Sequence, residues 1–135
     1  MSIRIVGFVP CMLAGYVISV AIETPVLLLG LRPKYSFGQK LWAGVLLTAC
    51  SYPFVCFVFP FIFPRDSALS ILYIPVAETF APLFEGFLFW LWFTKRESLK
   101  RKATWRDILT IIAANLASFG IGEFLKYTGV IDFVC

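Results

Sequence analysis

Four glutamates interrupt the apolar stretches of this chain. Glu23 is the first charge after an uncharged run over 5–22. Glu78 and Glu85 are the only charges between 67 and 94, and Glu123 is the only one between 108 and 125. No Lys or Arg lies inside these stretches, and the chain contains no His. A charged residue at the centre of a membrane helix costs about 2.5–3.5 kcal/mol. Loss of water without a nearby cation favours the neutral acid. Each carboxyl is therefore expected to be protonated, to bind a cation, to face water, or to pair with a residue of another subunit. Proton or cation handling is the chemistry that such residues offer.

Neutral polar groups recur at helical spacing around them. Tyr16, Ser19 and Glu23 form one stripe; Gly44, Thr48, Ser51 and Tyr52 a second; Asn115, Ser118 and Gly122 a third. Such i, i+3/4, i+7 stripes belong on a face turned toward the interior of a bundle. The candidate ion or proton pathway is thus Glu23, Glu78, Glu85, Thr48, Ser51, Tyr52, Asn115 and Ser118, with Glu85 and Glu23 central and Glu78 an outer relay. Glu123, followed by Lys126, is assigned to the outer interface. Pro25, Pro53, Pro75 and Pro82 are expected to free the carbonyls of Ala21, Ala49, Ile71 and Glu78 by removing a helical N–H. Carboxylates beside free carbonyls suit an oxygen-preferring cation, although no metal is specified. The same carboxyls could instead act as structural glue between helices.

Other chemistry is poorly served. There is no His for a catalytic triad, a zinc site or haem, and no Gly-rich phosphate loop. No cofactor is expected, and the chain is not expected to be an enzyme. An intramembrane enzyme using Glu with Ser or Tyr is a minor alternative. Cys11, Cys50, Cys56 and Cys135 form no CxxC pair, and Cys50 and Cys56 suit small buried thiols. Cys11 and Cys135 both fall near the outer side, where a disulfide could form.

The elements that hold these residues follow from composition. Of 135 residues, 60% are apolar and only 15% charged, against about 25% charged in a soluble domain. A soluble globule, a disordered chain and a nucleic-acid-binding arm are excluded. The expected fold is all-α: a polytopic membrane protein, one domain over 1–135 forming a four-transmembrane-helix bundle, with spans at roughly 5–30, 40–62, 68–94 and 105–127. The first is too long for a cleavable signal peptide. From the span midpoints, Glu123 lies about 9 Å and Glu78 about 5 Å toward the outside, and Glu85 about 5 Å and Glu23 about 8 Å toward the inside, a ladder through the membrane. Ser36–Gln39 and Thr104–Asp107 have capping-box spacing for the second and fourth helix starts.

Nine of the twelve basic residues lie in the first and third connections, and only Arg4, Arg65 and Lys126 on the other side. That bias makes both basic loops cytoplasmic and both termini external. Trp42, Trp90, Trp92 and Trp105 all fall at the inner interface, where indoles favour the headgroups. The cluster Lys95-Arg96-Glu97-Ser98-Leu99-Lys100-Arg101-Lys102 suits anionic lipid rather than nucleic acid. A weak echo links Ala21-Ile22-Glu23-Thr24-Pro25 with Ala77-Glu78-Thr79-Phe80-Ala81-Pro82, a parallel repeat of two helices plus two.

Three segments carry a resemblance: 47–53 with Ser51-Tyr52-Pro53, 77–86 with Glu78 and Glu85, and 114–120 with Asn115 and Ser118. They resemble segments of small bacterial four-span integral membrane proteins without an assigned activity. Other members carry Thr-His-Pro with an upstream Asn in the second span, where this chain has Ser51-Tyr52-Pro53 and Thr48. No imidazole ligand is therefore implied. The resemblance implies a bacterial inner-membrane, multi-pass protein and contributes no mechanism.

Two functions remain in view. The first is proton or cation handling as a transporter or transporter subunit. The alternative is a structural or assembly subunit of a larger membrane complex, with no transport or catalysis of its own. The expected partners are the lipid bilayer, a proton or cation, and a second copy or another membrane subunit.

Overall fold

The computed structural model describes residues 3–134. Four helices are long and apolar enough to cross a membrane, at Phe8–Gly30, Phe37–Ile62, Ala68–Trp92 and Lys102–Tyr127. The first is α1. The second comprises α2 (Phe37–Pro53), a π-helical turn (Phe54–Val58) and α3 (Phe59–Ile62). The third is a 3-10 turn (Ala68–Leu72) followed by α4 (Tyr73–Trp92), and the fourth is α5. They form a ring: α1 packs on α2 and α5, and α4 packs on the same two. Large side chains such as Leu13, Val17, Phe61, Leu83 and Leu116 are exposed on its outer surface, as lipid-facing positions require.

The starts of the helices have separate causes. At α2 the expected capping box is present: the Gln39 N–H donates to Ser36 Oγ at 3.2 Å, and the Ser36 N–H to Gln39 Oε1 at 2.9 Å. At α5 it is not. That helix begins at Lys102, and Thr104 Oγ1 turns back to Glu97 Oε2 and the Ser98 carbonyl. Asp107 is bound to Arg32 instead of the helix end. Lys40 Nζ covers the end of α1 by donating to the carbonyls of Leu28 and Leu31, as a cation at a helix C-terminus can.

The prolines act unequally. α1 and α4 continue through Pro25 and Pro82. Pro75 lies in the first turn of α4, where N–H groups have no helical partner anyway, so the freed carbonyl expected there is corrected. Pro53 ends α2, and the chain widens into the π turn directly after it. Tyr73 takes advantage of that opening: its hydroxyl donates to the Val55 carbonyl at 3.0 Å.

Outside the spans the structure departs from an all-helical expectation. Ile3–Val6 (β1) pairs in parallel with Ile131–Val134 (β2), with Arg4 opposite Asp132, so the first span begins at Phe8 rather than at residue 5. The parallel register puts both termini on one side of the bundle, here called the terminal side. The basic loops lie on the other. The buried apolar core (Leu27, Leu31, Tyr35, Ala43, Leu47, Leu88, Phe89, Ile111 and Ala114) fills only the basic half.

Candidate functional site

Where the core stops, four helices each offer polar groups to the bundle interior. Glu23 projects from α1 and Glu85 from α4, and they are 3% and 2% exposed. Thr48 and Ser51 stand one turn apart on α2, as do Asn115 and Ser118 on α5. Thr48 Oγ1 lies 2.7 Å from Glu23 Oε2, and Ser118 Oγ lies 2.8 Å from Glu23 Oε1. Ser51 Oγ donates to Glu85 Oε1, and Asn115 Nδ2 to Glu85 Oε2 at 2.9 Å. All four carboxyl oxygens are thereby hydrogen-bonded, and every helix of the ring is tied to the cluster.

The pattern repeats. Within each hairpin (α1–α2 and α4–α5) the first donor meets the carboxyl of its own hairpin, Thr48 to Glu23 and Asn115 to Glu85. The donor three residues later meets the other hairpin's carboxyl, Ser51 to Glu85 and Ser118 to Glu23. This exchange of hydrogen bonds makes Glu85 the counterpart of Glu23, not the Glu78 with which the sequence echo aligns it. It also brings Glu23 and Glu85 to one level instead of separate rungs.

The hydroxyls have a further property. Each carries a single hydrogen but has two acceptors in reach. Thr48 Oγ1 is 2.8 Å from the Gly44 carbonyl, Ser118 Oγ is 3.1 Å from that of Asn115, and Ser51 Oγ is 3.4 Å from that of Thr48. Toward a carboxylate the hydroxyl donates. Toward a protonated carboxyl it can accept that proton's hydrogen bond and turn its own hydrogen to the helix carbonyl. Asn115 has two N–H hydrogens, one for Glu85 and one for the Ile111 carbonyl at 3.2 Å. The cluster can hold each carboxyl in either protonation state without stranding a buried polar atom.

Above the pair, a cavity of about 860 Å³ extends through the terminal half of the bundle. Glu78 lines it on the same face of α4 as Glu85, as their seven-residue spacing predicts. Tyr52 also lines it, but its hydroxyl sits against Gly15 and its ring stands edge-on to Tyr16. Among the described residues the carboxyl pair is held by Thr48, Ser51, Asn115 and Ser118, with Tyr52 in the wall. Glu123 is exposed at the terminal end and pairs with Lys126 at 2.6 Å. Cys50 and Cys56 are free thiols; the pairing considered for Cys11 involves Cys135, which lies outside the described residues.

A second charged cluster was not anticipated. Asp107 is fully buried, and its carboxylate accepts from Arg32 Nε at 2.7 Å and Tyr35 OH at 3.0 Å. Arg32 also reaches Glu97 Oε2 at 2.7 Å, and Lys34 donates to Glu97 Oε1. Bonds from Lys34 and Arg32 hold the Glu97 carboxyl down to about 2. The bond that Arg32 donates to Asp107 keeps the guanidinium firmly protonated, and burial, with Asp107 beside it, pushes the Tyr35 hydroxyl up. The cluster joins the first loop, the α4–α5 connection and the start of α5. Its signal in the sequence was Arg32 and Asp107 at facing helix ends, hidden by the many charges that such ends normally carry.

Among the described residues no group of three or more metal-ligating acids or thiols comes together. The chain was compared with protein families, with curated proteins and with solved structures, and nothing among them matches it.

Proposed function

We propose that this membrane protein takes up and releases protons or cations at the Glu23–Glu85 pair, as a transporter or transporter subunit. The observation that carries the proposal is the set of two-way hydroxyls, Thr48, Ser51 and Ser118, around two buried carboxyls with no Lys or Arg bonded to either among the described residues. A charge so placed must be balanced by something mobile, and the neutral form is equally well accommodated. Glu78 acts as the relay between the pair and the terminal side, which we assign to the outside of a bacterial inner membrane because nine of twelve basic residues lie on the other side.

The structural alternative has its own support, because the same bonds tie all four helices together. Glu85→Gln separates the two. Glutamine's carbonyl oxygen can still accept from Ser51 or Asn115, so the fold should persist. In proteoliposomes carrying a pH-sensitive dye, the variant should lose proton or cation flux while the wild type retains it. Equal flux in both would eliminate Glu85 as carrier. A wild-type chain that moves nothing, with Glu85→Gln releasing a copurifying subunit, would establish the assembly role instead.

A further inference from the structure

The cavity is much larger than a proton or a bare metal ion needs. At about 860 Å³ it falls within the roughly 300–1,000 Å³ of small-molecule sites. Its walls are apolar and aromatic, with Phe8, Tyr52, Phe63, Tyr73 and Phe119 facing the space. Its charges do not cancel evenly. Four glutamates line it, Glu23, Glu78, Glu85 and Glu123, against the two cations Arg65 and Lys126, and among the described residues no Lys or Arg is bonded to Glu23 or Glu85 at the floor. Tyr52, Tyr73 and Cys56 also line the wall, and phenols and thiols are ordinarily neutral at physiological pH.

The floor also discriminates by geometry. Each carboxyl oxygen already faces an O–H or N–H donor, and the Asn115 N–H group would oppose a small ion that must be wrapped by oxygens. A large cation with diffuse charge has no such requirement. It needs negative charge nearby, apolar contact and ring faces, which attract ammonium groups.

We propose that the cavity binds a bulky organic cation, a tertiary or quaternary ammonium on an apolar body, with its nitrogen over the Glu23–Glu85 pair and its body against the aromatic walls. The proposal rests on charge exchange at that pair and names the cargo. As the ammonium enters, a carboxyl O–H releases its proton to water. No covalent bond forms, and proton and cation exclude one another.

The test uses the full chain in lipid nanodiscs with benzyltributylammonium as probe. Binding should be saturable, accompanied by proton release into weakly buffered medium. It should weaken about thirtyfold or more in Glu85→Gln or Glu23→Gln, the cost of removing one partner of a desolvated charge pair. The uncharged analogue with carbon in place of nitrogen should bind weaker by a similar factor, and this comparison needs no variant to fold. Equal binding of charged and uncharged probes, or no saturable binding, would overturn the proposal. Glu85-dependent proton flux without ammonium binding would overturn it while leaving proton handling intact. Ammonium binding without such flux would uphold the site and remove the transport assignment.

Discussion

Asp107 and Glu97 show how differently two carboxylates behave from Glu23 and Glu85 within one small protein. Both have Arg32 beside them, whereas the membrane-embedded pair has only neutral donors. Loss of one partner from a buried ion pair leaves the other charge stranded. Asp107→Ala should therefore destabilise the protein by about 3 kcal/mol, at the low end for such losses because Glu97 remains for Arg32. Reversible unfolding in mixed micelles would measure it, and a change below ~1 kcal/mol would show the pair to be incidental. Glu97 adds a pH dependence of known sign. Its folded value, about 2, lies below the ordinary 4.5, so its stabilisation is complete above about 4.5 and disappears as pH falls toward 2. Glu97→Gln should flatten that acid limb of the stability curve and leave the neutral region parallel to wild type. An unchanged acid limb would mean that other carboxyls cause it.

At the level of helices, close approach is set by small residues in contact with specific partners. A Cβ built on Gly30 of α1 would lie 2.5 Å from Thr110 Cγ2 and 3.0 Å from its Oγ1, but 3.3 Å from its Cβ. Gly30→Ala should destabilise by about 1–3 kcal/mol through overpacking, and Thr110→Ala in the same chain should recover most of that, a coupling that a double-mutant cycle would measure. Simple additivity would mean that α1 and α5 yield without cost. Such contacts were not legible in the sequence, because a glycine's partner depends on register between helices. The polar stripes were legible for the opposite reason. Thr48, Ser51, Asn115 and Ser118 are isolated polar residues in apolar spans, and 3.6-residue spacing alone puts each pair on one face. The two short strands have no separate signal in the sequence, because four residues beside a span are too few to set its boundary. The Arg32–Asp107 pair has no distinct signal either, because Asp107 also fits a helix-start pattern, and only the fold shows that it is buried.

Taken as a whole, the molecule is packed on one side and hollow on the other. The apolar core and the Arg32–Asp107–Glu97 cluster fill the basic half, while the cavity leads from the carboxyl pair to the terminal side. A protein that passes a proton or cation across must at some stage reverse that asymmetry, and the charged cluster is the contact that would have to part, because it joins the first loop to the third connection and α5. Cys56 is a native reporter of this state: it lines the cavity as a free thiol, whereas Cys50 packs beside the core. In sealed vesicles of known orientation, a charged, membrane-impermeant maleimide applied from the terminal side should label Cys56 at least about tenfold faster than reagent applied from the basic side. Peptide mass spectrometry would assign the label, and Cys50→Ala would remove the other free thiol among the described residues. Arg32→Ala should raise labelling of Cys56 from the basic side if that cluster is the barrier. Should Cys56 react equally from both sides in the wild type, the half-packed arrangement would not describe the protein in a bilayer. Should Arg32→Ala leave the sidedness untouched, closure would belong to the apolar layer of Leu47, Phe89 and Ile111, and the ion cluster would only brace the loops.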